Sequence, residues 1–394
     1  MLEPIAHVGL DPGTGGYVRD AWSEADMELR EWFAGEAARR GLDLREDRNG
    51  NLWAWWGDPS PGRPGVVTGS HLDSVRQGGA YDGPLGVVSA FAALDLLRKR
   101  GVSPSKPLGV ACFTDEEGAR FGVPCMGSRL LTGALEADRA LALTDDDGDT
   151  LADVMTRAGR KAREIGRDAG TLAMIGTFVE LHVEQGRGLV DQGRPVGVAS
   201  AIRPHGRWRF DFRGRADHAG TTRLADRDDP MLPFARMVLA ARENAERRGV
   251  VATVGKVRVS PGNANAIPGH VSAWLDVRGP GAADVRALVA DLAGAAEVRE
   301  ESWTPVVDFD PALRDRLARV AGGDTPAPIL PTGAGHDAGI LATAGVPSAM
   351  LFVRNPTGVS HSPDEHAEQA DCEAGVVALA DVLEALSETK SRQG

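Results

Sequence analysis

Ligands for two adjacent cations are histidines and carboxylates, and one carboxylate can bridge the pair. The chain offers such a set in order: His71 in GSHLDS, Asp82 in GGAYDGPLG, Glu116 and Glu117 in FTDEEGARFG, His182 in ELHVEQG and His361 in GVSHSPDEH. On a strand, His71 and Asp73 point to the same side, so Asp73 can orient the His71 imidazole from behind. Asp82 sits among Gly78, Gly79, Gly83 and Gly86, where backbone can approach a metal closely. Adjacent Glu116 and Glu117 point in different directions, so one can bind metal while the other takes a proton from an activated water. Glu180, His182 and Glu184 share one face of a strand, which puts His182 in an acidic setting. Each element alone is weak, because a lone histidine is more often a structural residue and a Glu-Glu pair is usually a solvated helix face. Together they form a set of glycine-flanked metal-type residues, each at the end of a strand-like run.

The elements that must carry these residues read as α/β. Residues 19–40 predict an amphipathic helix containing Trp22, Met27, Leu29, Trp32 and Phe33. LDLREDRNGNLWAWW predicts a hairpin turning at Asn49-Gly50-Asn51. A buried strand over 64–74, a helix over 84–100 and a strand over 107–118 follow. Alternation of this kind implies a largely parallel sheet, with the site beyond the carboxyl ends of its strands. From residue 203 the texture changes. Alternating strand patterns at 206–220, 250–260 and 270–279, with helices at 229–248 and 281–294, predict a small α+β insert. A helix near 311–321, a strand over 348–354 and a helix near 367–388 return the chain to the first domain. The expected division is 1–203 with 306–394 against 204–305.

Composition narrows the function classes. A chain of 394 residues exceeds the roughly 250–300 residues of a single core, in keeping with two domains. A net charge of −12 argues against a nucleic-acid partner, which needs a basic surface. Anionic small substrates stay open, because a few local arginines can override the global field. No run approaches the ~20 apolar residues of a membrane helix, and the N-terminus reads as no signal peptide. Cys112, Cys125 and Cys372 make no disulfide framework, so a reducing, cytoplasmic setting is expected.

GSHLDS, YDGPLGV, DEEGARFG, LHVEQG, HAGTT, NAIPG, GAGHDA and GVSHSP together resemble the hydantoinase/carbamoylase-type amidohydrolases. These include N-carbamoyl-L-amino acid hydrolase, allantoate amidohydrolase and β-ureidopropionase, within the wider clan of binuclear zinc exopeptidases and aminoacylases. The resemblance runs from about residue 45 to 385. It implies an α/β, zinc-exopeptidase-like catalytic domain with a mixed, largely parallel sheet, interrupted by a small α+β lid that dimerises. It implies that His71, Asp82 and His182 hold one metal, and that Asp82, Glu117 and His361 hold the other. The pair would be zinc or manganese, with cobalt or nickel also suited. Glu116 becomes the general base and Gln185 a contact for the ureido group. His218 reaches the site of the partner subunit in a homodimer as an oxyanion donor. Asn265 and Arg278 clamp the substrate carboxylate, Arg354 also faces an anionic substrate, and His336 and Asp337 support the site. The chain departs from the pattern at Arg223, which stands where proline usually follows HAGTT.

The implied reaction is cation-assisted attack of water on a ureido carbonyl. Glu116 moves the proton and insert closure excludes solvent. DEEGARFGVPCMGSRLLTGAL and VASAIRPHGRWRFDF look most like allantoate amidohydrolases, so allantoate stands first. N-carbamoyl-L-amino acids stand close behind, with β-ureidopropionase also in view. An aminoacylase or dipeptidase is disfavoured by His182 and Gln185. A non-catalytic relative acting as a binding protein would have lost a ligand or the base, and all are present.

Overall fold

The computed structural model describes residues 1–388. Six strands come first: β1 (Asp43–Glu46), β2 (Leu52–Trp56), β3 (Gly65–His71), β4 (Leu108–Phe113), β5 (Ile175–Val183) and β6 (Val196–Ile202). The inserted stretch carries β7 (His205–Arg213), β8 (Asp217–His218), β9 (Val251–Ser260), β10 (Ala266–Ile267), β11 (His270–Arg278) and β12 (Glu297–Thr304). The chain returns with β13 (Val307–Asp308), β14 (Ile329–Thr332) and β15 (Ser348–Val353). It divides into two compact units, Met1–Ser200 with the chain from Asp308 onward, and Ala201–Val307.

The first unit is built on a mixed sheet in the order β1-β2-β4-β3-β5-β15-β6-β13, with β14 also pairing β6. Its centre is parallel: β3 pairs β4 and β5 in parallel, and β15 pairs β5 likewise. β3, β4 and β15 are buried along their whole length, as expected of strands covered on both faces. Leu29, Phe33, Phe91, Leu94, Leu383 and Leu386 belong to one helix-on-sheet cluster. Each such side chain, once fully buried, contributes roughly 1.5–3 kcal/mol.

The first helix departs from its expected start. It spans Glu24–Arg39, with the Ser23 hydroxyl accepting from the Asp26 N–H. Trp22 lies outside it at φ 61, a left-handed backbone that no α-helix continues. The helix buries charge as well as carbon. Arg30 is buried, paired to Asp26 at 2.9 Å, and donates to the Gly50 carbonyl and the Thr114 hydroxyl. The Asn51 amide adds a second brace, accepting from the Thr114 N–H and donating to the Gly127 carbonyl. The hairpin turn therefore holds the segment that leaves β4.

The second unit is a four-stranded antiparallel sheet in the order β12-β7-β11-β9, with β8 and β10 forming a separate pair. Alternate residues of β7 are buried, among them Trp208, Phe210 and Phe212, which join Val271, Leu275 and the helices Met231–Arg248 and Ala282–Leu292 in one core. Among the described residues, no helix is long and apolar enough to cross a membrane.

Candidate metal centre

Three strand ends and two loops of the first unit bring the expected ligands together. His71 is the last residue of β3 and pairs with Phe113, the last residue of β4. Glu116 and Glu117 follow β4 directly, and His182 lies in β5, which neighbours β3. Asp82 sits just before the helix Pro84–Lys99, where Gly83 has φ 85. A Cβ at Gly83 would lie 2.4 Å from the His71 ring, so only glycine lets this loop close over the imidazole. His361 comes from the loop after β15 and is itself left-handed, with φ 55.

The geometry is that of a shared carboxylate. Asp82 Oδ1 lies 3.6 Å from His71 Nε2 and 3.1 Å from His182 Nε2. Its other oxygen, Oδ2, lies 3.4 Å from His361 Nε2, which is 3.4 Å from Glu117 Oε2. Ligands bonded tetrahedrally at roughly 2.0–2.2 Å stand roughly 3.3–3.6 Å apart, close to these spacings.

The imidazoles also present the right face. His71 Nδ1 faces the Asp73 carbonyl at 3.1 Å and His182 Nδ1 faces the Val183 carbonyl at 2.9 Å. The ring protons therefore sit on Nδ1, and both Nε2 lone pairs point inward. Both Nε2 atoms, with Glu117 Oε1, are buried and lack a hydrogen bond of sound geometry. Buried polar atoms of this kind need a partner. Divalent cations held by His71, Asp82 and His182 and by Asp82, Glu117 and His361 would supply one, so the residues fit a metal centre.

Burial disfavours the Asp82 anion, but His182, His361 and His71 around it hold its carboxyl well below the usual range. Burial, and then the neighbouring Asp82, push Glu117 up to about 7. Burial works against the charged His361 ring, yet Asp82 and Glu117 raise it to about 9. Glu116 is pushed well above the usual carboxylate range by burial, against His71 and with Asp337 and Glu117 adding to the rise. A raised carboxyl suits an acid-base group working near neutral pH.

Several neighbours hold this set in place. The nearer acceptor for His71 is the Asp73 carbonyl, because the Asp73 carboxylate stands 3.6 Å away. That carboxylate instead accepts the backbone N–H groups of Glu116 and Glu117. Asp73 thus ties the base segment to the ligand strand. Glu184 turns away and accepts from the N–H groups of Gly188 and Leu189. Glu180 takes the Ser70 hydroxyl and the Ala338 N–H. His336 packs its ring 4.6 Å from His182 and groups with Glu180 and His182. Asp337 is buried and accepts from Ser128. Gln185 Nε2 donates to Asp82 Oδ2 at 2.8 Å, while its Oε1 is buried without a hydrogen bond.

Sequence reasoning missed two supports. Glu365 accepts from the N–H groups of Tyr81 and Asp82, and the Ser360 hydroxyl bonds both Glu365 and Asp82. Both lie in the GVSHSPDEH run that carries His361, which was the available signal. Both oxygens of Asp371 take the Arg354 guanidinium, at 2.8 and 2.9 Å. His218, Asn265 and Arg278 belong to the second unit. There β8 and β10 bring His218 opposite Ala266, next to Asn265. Arg278 bonds Asp276 through Nε and a terminal nitrogen.

Comparison with known proteins identifies the family. A model of peptidase family M20/M25/M40 matches residues 67–385. An N-carbamoyl-L-amino acid amidohydrolase of Geobacillus stearothermophilus is 35% identical, across 96% of this chain and 95% of that protein. An allantoate amidohydrolase of Escherichia coli (strain K12) is 30% identical, across 96% and 95% respectively. The crystal structure of a hydantoinase/carbamoylase family amidase from Burkholderia vietnamiensis superimposes with a TM-score of 0.89 at 29% identity, covering 98% of this chain and 95% of that one. Family match, fold and ligand geometry lead to one assignment: the chain belongs to peptidase family M20/M25/M40 and is one of its hydantoinase/carbamoylase-type amidohydrolases.

Proposed function

We propose that the chain hydrolyses a ureido (N-carbamoyl) C–N bond in a small carboxylate substrate, using two divalent cations held by His71, Asp82, Glu117, His182 and His361. The observation that carries this reading is the Asp82 carboxylate, with one oxygen toward two buried histidines and the other toward His361. Cations bound there supply Lewis acidity, which lowers the pKa of a water and polarises the ureido carbonyl. Glu116 Oε2, 3.8 Å from His71 Nε2, takes the proton of the attacking water. The water oxygen bonds the carbonyl carbon, the C–N bond breaks, and Glu116 returns the proton to the leaving nitrogen. The carbamate released from a terminal ureido group decays to ammonia and carbon dioxide.

Gln185 supports a ureido substrate. Its Nε2 is spent on Asp82, and its buried Oε1 is an acceptor suited to a ureido N–H. His218 supports an oxyanion donor, because its Nδ1 accepts from the N–H groups of Gly220 and Thr221 and leaves the proton on Nε2. We assign His218 to the partner subunit's site in a homodimer, and the substrate carboxylate to Asn265 and Arg278. Both guanidiniums already bond a carboxylate, Arg278 that of Asp276 and Arg354 that of Asp371, so Arg354 stays a further contact for the anionic substrate beside that clamp. Chains carrying only Glu116→Gln or only His218→Ala should each be inactive. Refolded together, they should recover about a quarter of native activity, from mixed dimers with one intact site. No recovery would place His218 outside the partner's chemistry.

The motifs put allantoate first as substrate. The higher identity to an N-carbamoyl-L-amino acid amidohydrolase favours that class as the second reading. Ammonia release by the cation-loaded protein should be measured on allantoate, several N-carbamoyl-L-amino acids, N-carbamoyl-β-alanine and N-acetyl-amino acids. Turnover is expected on allantoate or the carbamoyl-L-amino acids. Activity confined to N-acetyl compounds, followed by amine release, would overturn the ureido assignment.

A further inference from the structure

The side chain that reaches Glu116 from the side away from His71 is Cys125. Its Sγ lies 3.1 Å from Glu116 Oε1. The other oxygen, Oε2, is the one facing His71 Nε2. The two oxygens of Glu116 therefore have different neighbours, a thiol on one and the ligand cluster on the other.

The backbone is arranged around the same contact. The consecutive N–H groups of Cys125, Met126 and Gly127 donate to the consecutive carbonyls of Glu116, Asp115 and Thr114, at 2.6, 3.0 and 2.8 Å. Both Asp115 and Cys125 are left-handed, at φ 52 and 54. Non-glycine residues hold that conformation only where surrounding structure imposes it, and such residues cluster at functional sites. Cys125 is 2% exposed. A buried free cysteine usually acts as a small hydrophobe. Here its sulfur lies within hydrogen-bonding reach of a carboxylate oxygen.

We propose that Cys125 is a positioning residue for the general base: its S–H donates to Glu116 Oε1 and fixes the carboxylate with Oε2 turned toward the cation cluster. The proposal rests on the reading of Glu116 as the base. Burial, with Glu116 and Asp337 beside it, pushes the thiol well above its usual range, so the donated proton stays on sulfur at neutral pH. Fixing the carboxylate in advance removes a reorientation that catalysis would otherwise include.

The test compares C125A, C125S and E116Q in the cation-loaded protein. C125A should lower kcat about tenfold with KM and cation content unchanged. C125S, which restores a donor of similar size, should recover most of that loss. A loss shared equally by C125S, or no loss in C125A, would overturn the proposal. An independent readout that needs no turnover is the infrared S–H stretch, assigned to Cys125 rather than to Cys112 or Cys372 by its absence from C125A. It should shift to higher frequency in E116Q, where a neutral amide replaces the anionic acceptor. An unchanged band would also overturn the proposal. Activity retained by E116Q would instead refute Glu116 as the base, so the two failures are distinguishable.

Discussion

Glu116→Gln is expected to lower kcat by about a thousandfold, within the range a positioned general base contributes. Cation content should stay at the native level. Glutamine keeps the shape of the side chain and an oxygen that can accept from Cys125. It cannot take a proton from water or return one to a leaving nitrogen. The ligand geometry predicts the separation of effects: Glu117 and His361 approach within 3.4 Å of each other, whereas Glu116 Oε2 stands 3.8 Å from its nearest histidine. Steady-state kinetics with metal analysis of the same sample decides. A variant within tenfold of native kcat would remove Glu116 from the proton transfer. A variant that loses cations would make Glu116 a ligand.

Asp82→Ala is expected to abolish activity and to remove both cations, because among the described residues Asp82 alone belongs to both the His71–His182 group and the Glu117–His361 group. His71 and His182 would keep their Nδ1 bonds to backbone carbonyls, so the rings would stay in place with no anion to share. Cation stoichiometry by elemental analysis, with circular dichroism to show that the variant folds, measures this. Retention of two cations at native affinity would show that Asp82 does not bridge them.

What the sequence revealed and what it hid have separate physical causes. Strand and helix periods are local, so the hairpin at Asn49-Gly50, the helix Pro311–Ala321 and the alternation of β7 could be read directly. So could the α/β class and the strand-end placement of His71, Glu116, Glu117 and His182. The first helix was read too early, because Trp22 is as apolar as a helical core residue and only its backbone angle excludes it. The sequence reading placed no strand over β6 or β12, where β12 has mostly exposed residues and shows no clean alternation. Partnerships across the fold left no periodic trace. Nothing in the spacing of Arg354 and Asp371, seventeen residues apart, distinguishes an ion pair from a substrate anchor. Cys125 against Glu116 is likewise a product of tertiary packing, and for Glu365 the motif around His361 marks the neighbourhood but not the bond to Asp82.

The sequence reading gave the first 45 residues a helix over 19–40 but no defined part in the site, and the link to it is Arg30. It is a charge sunk in the interior, bonded at once to its own helix, to the Gly50 carbonyl and to the Thr114 hydroxyl just before the acidic pair. Stripping a partner from such a buried ion costs about 3–5 kcal/mol, so these three pieces stand or melt as one cooperative block. The amino-terminal helix is in that sense a lock on the acid-base segment. A shortened chain that kept every ligand would still lose the rigid backing of its base.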